Sequence, residues 1–271
     1  LNFTEKVPCP LCNSEKAETV RTIKDIVQCE CGMVYLRTRP SVKELEVHYQ
    51  RYASNPGSHM ALPKTFDEVR YTGLRRPDVM RDILHYCGEE RGRLLDIGSG
   101  WGAFLLGARE VGFTVQGVEI CREMAEFAWN KLGIVTWDQQ IEKLRLGPGS
   151  LQVVTLLHSL EHLPHLSDAL QWMHKALKMG GLICGIVPNF DSWASNAMRD
   201  KWPWLDPEMH YSHMTQSTLQ KALWQFGFNV VEINTVTGDF DRRLLPHFPP
   251  QLAELEKNGK GEEIHWVAVK M

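Results

Sequence analysis

Leu94-Leu95-Asp96-Ile97-Gly98-Ser99-Gly100-Trp101-Gly102-Ala103-Phe104 is the stretch whose reading decides the fold. Apolar residues run into an acid, glycines follow at alternate positions, and a helical pattern begins at once. That order predicts a strand, a tight turn and a helix N-terminus, the arrangement that brings backbone close to a nucleoside-containing cofactor. Glycine is needed where the chain takes left-handed dihedrals or where a ligand leaves no room for a Cβ. Gly98, Gly100 and Ala103 also satisfy the looser dinucleotide pattern, so this run alone leaves nicotinamide and flavin chemistry open.

Outward from that turn the chain reads as alternating strands and helices. Strands are expected near 93–97, 113–118, 134–136, 151–157, 182–188, 227–233 and 264–269, with helices near 74–87, 102–110, 121–132, 165–178 and 216–226. In the helix at 165–178, Leu166, Leu170, Met173 and Leu177 line one face, and Gly180-Gly181 is expected to stop it. Such alternation predicts an α/β, Rossmann-like, seven-stranded, mostly parallel sheet with ligands at the carboxyl ends of its strands. No full crossover helix separates the last two strands, which suits an antiparallel final strand reached through an excursion over 235–261.

Bulk properties restrict the partners. The 271 residues hold enough apolar content for one large domain and a small one. A net charge of −3 and a pI near 6.4 argue against general affinity for nucleic acid. No apolar run approaches a bilayer span and no signal peptide is visible, so a cytoplasmic, membrane-free protein is expected. Leu1 in place of Met points to a few further residues ahead of it. Cys87, Cys121 and Cys184 are scattered and expected to be reduced.

The other four cysteines crowd the start. Cys9-Pro-Leu-Cys12 is a CxxC knuckle, and Cys29-Glu-Cys31-Gly32 follows one residue tighter. Two thiolate pairs suit tetrahedral zinc, and four such ligands leave no open position, so Cys9, Cys12, Cys29 and Cys31 are expected to hold a structural ion. Free thiols or disulfides are the alternative. Lys/Arg at 6, 16, 21, 24, 37, 39 and 43 balance Asp/Glu at 5, 15, 18, 25, 30, 44 and 46, a poor composition for RNA binding. The expected domains are a zinc-ribbon-like module at 1–40, a helical connector and lid at 41–92 and a cofactor-binding domain at 93–271. Val42, Leu45 and Tyr49 give the connector a helical stripe, and 53–65 reads as a turn-rich linker.

The strand ends supply candidate chemistry. Glu119, with Ile120 beside it, follows the second strand, suited to ribose hydroxyls or to capping the next helix. Asp138-Gln139 follows the third, suited to an adenine amine or a helix N-cap. His158-Ser-Leu-Glu161-His162 follows the fourth, where His158 can act as a base or as a hydrogen-bonded structural histidine. Its H-x-x-E-H order equals an inverted zinc-protease spacing, but Pro164 opposes a continuous metal-binding helix, so no metal is assigned there. After the fifth strand, Pro188-Asn189 leads into Trp193…Trp202-Pro-Trp204 and Glu208-Met-His210-Tyr-Ser-His213.

Taken together these blocks resemble the class I S-adenosylmethionine-dependent methyltransferases over roughly 93–233 plus the last strand. The blocks are Leu95–Gly102, Glu119, Asp138, Leu160-Glu161-His162-Leu163, Leu177-Lys-Met-Gly-Gly181 and Pro188-Asn189. The cysteine ribbon, the Val34-Tyr35-Leu36-Arg37 strand and the His210…His213 segment look like a bacterial subgroup whose members often methylate sugars or natural-product intermediates. Gln152 departs from the Asp usual at the start of strand four. The resemblance implies that Asp96 helps position the methionine part, that Gly98, Ser99, Gly100 and Gly102 wrap methionine and ribose, that Glu119 holds ribose, that Ile120 also lines the cofactor site and that Asp138 with Gln139 meets adenine. It implies His158 or His210 as general base, with His162 and His213 behind them, and a small-molecule acceptor. Two other readings stand beside it: a ribosomal RNA base methyltransferase using the ribbon and Arg70, Arg75, Arg76 and Arg81, and a noncatalytic partner that binds the cofactor for stability.

Overall fold

The computed structural model describes residues 1–23, 25–52, 62–206, 208–237 and 252–271. Most of the expected linker and of the 235–261 excursion therefore lies outside the described residues. Two compact units divide the chain: Leu1–Ser41, His158–Leu170 and Gly185–Ala268 form one, and Val42–Leu157, Gln171–Cys184 and Val269–Met271 the other.

The first unit opens with five short strands, β1 (Glu5–Lys6), β2 (Ala17–Arg21), β3 (Ile26–Cys29), β4 (Val34–Leu36) and β5 (Thr38–Arg39). The first knuckle closes as Asn13 N–H donates to the Cys9 carbonyl at 2.9 Å, and the second as Gly32 N–H donates to that of Cys29 at 2.8 Å. Gly32 sits at φ 96°, open to glycine and strained for other residues. Ile26, Val27, Met33 and Val34 are fully buried, so this small module has an apolar centre beneath its cysteines.

The large sheet contains β6 (Arg93–Ile97), β7 (Thr114–Val118), β8 (Val135–Trp137), β9 (Leu151–Leu157), β10 (Leu177–Pro188), β12 (Phe228–Val236) and β13 (Glu263–Lys270); β11 is the short strand Ser212–His213. Their order is β12-β13-β10-β9-β6-β7-β8, mostly parallel with an antiparallel last strand, as the apolar alternation predicts. In the second unit the chain steps outward from β6 to β7 and β8, then returns to place β9 on the other side of β6. That reversal creates a switch point at the carboxyl ends of β6 and β9, where a sheet of this kind opens a crevice for ligands.

Helices α1 (Val42–Tyr52), α2 (Phe66–Tyr71) and α3 (Pro77–Cys87) precede β6. They are followed by α4 (Ala103–Glu110), α5 (Arg122–Leu132), α6 (Leu166–Ala176), α7 (Trp193–Met198), α8 (Gln216–Gln225) and α9 (Leu252–Lys257). The helix expected at 165–178 ends earlier than its glycines suggest. Leu177 already belongs to β10 and is fully buried, and Gly180 takes φ 71° within the strand. A Cβ on Gly181 would lie 2.9 Å from the Lys178 carbonyl oxygen, so these glycines serve a bend in the strand instead of a helix cap.

Within the first unit, the Pro188-Asn189 block has a structural role. Asn189 is wholly buried, its amide donates to the Gly259 and Gly261 carbonyls at 3.1 and 2.8 Å, and its oxygen accepts from Asp191 N–H at 3.1 Å. Glu262 beside it accepts from Ser192 Oγ at 3.0 Å and from Ala194 N–H at 3.1 Å. Replacing Asn189 by Leu strands buried polar groups, each costing about 1–3 kcal/mol. Urea unfolding of Asn189→Leu is therefore expected to show a clearly lowered midpoint at unchanged slope; an unaltered midpoint would contradict this role.

Candidate functional site

In the second unit the turn after β6 is built as its glycines require. Gly98, Gly100 and Gly102 all have positive φ, at 73°, 53° and 93°. Gly98 and Ser99 N–H groups both donate to the Val118 carbonyl, at 2.8 and 3.1 Å, joining the end of β6 to the end of β7. A Cβ on Gly102 would press on Ala128 and Leu132 of α5, both at 3.3 Å. Apolar packing and close backbone approach thus both exclude larger residues here.

Two buried carboxylates flank the turn. Asp96 accepts a hydrogen bond from Thr155 Oγ at 2.6 Å, across the parallel register that sets Asp96 opposite Thr155. Glu119 accepts from Gly100 N–H and from Cys121 N–H, both at 2.8 Å, so it ties the glycine turn to the start of α5. Burial pushes the Asp96 carboxyl up to about 7 against the Thr155 hydrogen bond, and the charge of Glu119 adds to the rise. Burial also raises Glu119, opposed by the N–H groups of Cys121, Gly100 and Ile120. A carboxylate oxygen has more than one lone pair, so Glu119 keeps capacity toward ligand hydroxyls while it holds the backbone.

Ser99 Oγ is buried with no hydrogen-bond partner, and lies 2.5 Å from where a Cβ on Gly117 would stand. Ile120 and Gln139 are half-buried and Asp138 is exposed beyond β8. Gln50 of α1 donates to the Ile120 carbonyl at 2.6 Å and accepts from Arg122 N–H at 3.1 Å. Sequence reading missed Thr155 and Gln50. A lone hydroxyl inside the apolar run of β9 is the signal for the first, whereas nothing in α1 marks Gln50.

In the first unit the four cysteines converge, with Cys9 and Cys31 Sγ 3.6 Å apart and Cys12 and Cys29 Sγ 3.4 Å apart. One sulfur from each lies within 4.8 Å of the others, so the tight second pair still brings Cys29 into the group. That donor set fits a soft tetrahedral cation.

The expected histidines share this unit. His158 takes a left-handed φ of 54°, stacks on Trp204 at 5.4 Å and 10°, and meets Glu263 through Nε2 at 3.3 Å and Glu161 through Nδ1 at 3.7 Å. Burial alone would lower its pKa, but the nearby carboxylates of Glu161 and Glu263 prevail and raise it to about 9. Burial and the neighbouring His210 hold His162 down at about 4 and His213 at about 3. His210 Nδ1 lies 2.7 Å from the Trp204 carbonyl, and His162 Nδ1 3.0 Å from that of Met209. Glu263 and Trp204 were not among the expected site residues, since their meeting with His158 depends on chain return from distant segments.

The ribbon and the His210–His213 segment form one sheet, ordered β11-β4-β3-β2, with Ser212 opposite Tyr35 and His213 opposite Val34. The ribbon's arginines are engaged internally. Arg21 is buried over the Phe190 ring at 4.6 Å, Arg39 is buried and donates to the Pro164 carbonyl, and Arg37 pairs with Asp25 at 2.7 Å.

A methyltransferase-domain family model matches residues 72–233. No curated protein matches the sequence significantly. Among solved structures, an Archaeoglobus fulgidus SAM-dependent methyltransferase has TM-score 0.56 at 23% identity, covering 75% of this chain and 98% of that one. The geranyl diphosphate C-methyltransferase of Streptomyces coelicolor, solved with Mg2+, geranyl diphosphate and S-adenosyl-L-homocysteine, has TM-score 0.59 at 15% identity, covering 85% and 100%. A chain from the complex between the Haloferax volcanii Trm112 methyltransferase activator and a methyltransferase has TM-score 0.59 at 16% identity, covering 82% and 97%. At these identities the likeness concerns the fold.

A carboxyl whose pKa rises on folding takes up a proton as the chain folds. Its stabilising contribution is complete below the unfolded value of about 4 and is lost as pH rises through the folded one. For Asp96 the window runs from there up to about 7. In ligand-free protein, the stability of wild type relative to Asp96→Asn is expected to fall across that window, measured by urea midpoints at stepped pH. A difference independent of pH would contradict the assigned environment of Asp96.

Proposed function

The chain belongs to the methyltransferase-domain family, and we propose that it moves a methyl group from S-adenosylmethionine to a small-molecule acceptor, such as a sugar or natural-product intermediate. Bound at the glycine turn, the donor would supply a sulfonium methyl already activated for displacement. The observation that carries the donor assignment is the paired buried carboxylates, Asp96 and Glu119, on either side of three positive-φ glycines. Asp96 is suited to the cationic amine of the methionine part and Glu119 to the ribose hydroxyls, with Ile120, Asp138 and Gln139 toward adenine. Backbone of Gly98, Ser99, Gly100 and Gly102 leaves the room. Residues 41–92 are assigned as connector and lid, a reading supported by the two hydrogen bonds of Gln50 to the Ile120–Arg122 loop.

The acceptor assignment rests on the ribbon. Its arginines are spent on Phe190, Ser195, Pro164 and Asp25, and its sheet is completed by Ser212–His213. A ribbon so engaged serves as a buttress for the Trp193–His213 segment, which we assign to acceptor binding, and offers little to an RNA backbone. Zinc at Cys9, Cys12, Cys29 and Cys31 would hold that buttress together. This chain's part in the chemistry is then to align the acceptor in line with the breaking bond, exclude water and take a proton. For a hydroxyl or carbon acceptor the proton goes to a histidine, His158 or His210. Glu161 and Glu263 raise the proton affinity of His158, so its neutral, proton-accepting form grows as pH rises toward about 9.

Methyl-labelled S-adenosylmethionine incubated with the protein separates these readings. With a low-molecular-weight metabolite extract and with ribosomal RNA offered side by side, label is expected in the small-molecule fraction. Label in RNA would contradict the acceptor class, and label in neither would favour the noncatalytic reading. His158→Gln is expected to slow turnover by roughly 10²–10⁴-fold with the donor's affinity unchanged. Equal turnover would remove His158 from the chemistry.

Metal analysis tests the buttress. At least one zinc per chain is expected in purified protein, and Cys12→Ser should release it. A metal-free, fully folded wild type would contradict the zinc assignment.

A further inference from the structure

We infer that Glu161, His162 and His210 form a second metal site, distinct from the cysteines, that takes a divalent first-row transition ion through two imidazole nitrogens and one carboxylate oxygen. One ligand atom from each of the three residues lies within 4.8 Å of the other two. Those distances are close enough for a cation to draw the side chains together by small rotations.

The chemistry of each ligand supports the assignment separately. Glu161 is 1% exposed, yet among the described residues neither of its carboxylate oxygens has a hydrogen-bond partner, and His158 Nδ1 stands off at 3.7 Å. A buried carboxylate left in that state is costly unless a positive charge joins it. His162 and His210 each present Nδ1 to a backbone carbonyl, Met209 at 3.0 Å and Trp204 at 2.7 Å. A carbonyl can only accept, so Nδ1 is the donor, and the tautomer this selects carries its lone pair on Nε2. This is the outer hydrogen bond that metal-ligating histidines almost always make, fixing the tautomer and aiming the ring. The two rings meet edge to face with centroids 4.6 Å apart. His213, also buried, adds an Nε2 atom with no partner, its ring centroid 6.4 Å from that of His210.

The surrounding backbone holds the three residues in place. Tyr211 N–H donates to the Glu161 carbonyl at 2.8 Å, which pins the segment carrying His210 to the turn carrying Glu161 and His162. That turn is a short 3-10 segment, Leu160–His162, in agreement with the expectation that Pro164 prevents a metal-binding helix. The H-x-x-E-H order therefore misleads twice. His158 is directed to Glu263, and its place is taken by His210 from far along the chain.

Two imidazoles and one carboxylate suit iron(II), cobalt(II), nickel(II) or zinc(II) and leave positions for water or an oxygen ligand. The inference does not depend on the identity of the methyl donor. It assigns His210 as a ligand, leaving His158 as the proton acceptor.

Cobalt(II) is the probe. Wild-type protein with zinc retained at its cysteines is titrated with cobalt(II), desalted and analysed for metal. One further equivalent is expected, with visible d–d absorption and without the thiolate-to-cobalt charge transfer that the cysteine site would give. Glu161→Gln and His210→Gln should each weaken cobalt binding by on the order of a hundredfold, since even outer partners of metal ligands cost tenfold or more. If a variant fails to fold, the wild-type stoichiometry and spectrum decide alone. No cobalt beyond the cysteine site, a purely thiolate spectrum, or unchanged binding in folded variants would overturn the proposal.

Discussion

The Glu119 carboxylate is the constraint around which the second unit is organised. Buried at the end of β7, it binds Gly100 N–H on one side and Cys121 N–H on the other, so one side chain fixes both the glycine turn and the entry to α5. Both N–H groups lie at element ends, and burying either one unpaired would be costly. Gly98 and Ser99 complete the clamp through the Val118 carbonyl. Left-handed dihedrals at three glycines keep side chains out of the space beside it. The turn is thus held by hydrogen bonds within the protein itself, which is how a site can be preorganised without a ligand to shape it.

The first unit solves a different problem. A cysteine ribbon has little apolar mass of its own, yet here its β4 edge is covered by Ser212–His213 and its Arg21 lies over Phe190. Edge strands left bare invite wrong partners, so this pairing protects the ribbon while it stiffens the segment that carries His210 and His213. Ribbon and histidine cluster behave as one structural element. Its arginines, Arg21, Arg37 and Arg39, are engaged inside it, while Lys6 and Lys16 stay exposed.

Much of this architecture is legible in the sequence because its signals are local. Period-two apolar runs mark the strands of the large sheet, and Asp96 followed by alternating glycines marks the turn. The legible part stops where partners come from afar. Asp96 needs Thr155 from β9, Gly100 needs Glu119, and Ile120 is met by Gln50 of α1. Only Glu119 has a spacing that announces it. At the start of β10, Leu177 continues the helical stripe of Leu166, Leu170 and Met173, while tertiary burial in the sheet overrides that periodicity. The meeting of Glu161 and His162 with His210 has no local signature at all, because His210 comes from far along the chain.

The glycine turn in one unit and the histidine cluster in the other are thus each assembled from a short motif plus distant partners. For the donor half, everything depends on Glu119 serving ligand and backbone together. Isothermal titration of S-adenosylmethionine into wild type and into Glu119→Ala tests this most directly. One site per chain is expected in wild type, and the variant, folded by circular dichroism, should bind at least tenfold more weakly, since a hydrogen bond to a charged group is worth about 1.5–3 kcal/mol. Equal affinity in the two proteins, or no binding to wild type, would contradict the account.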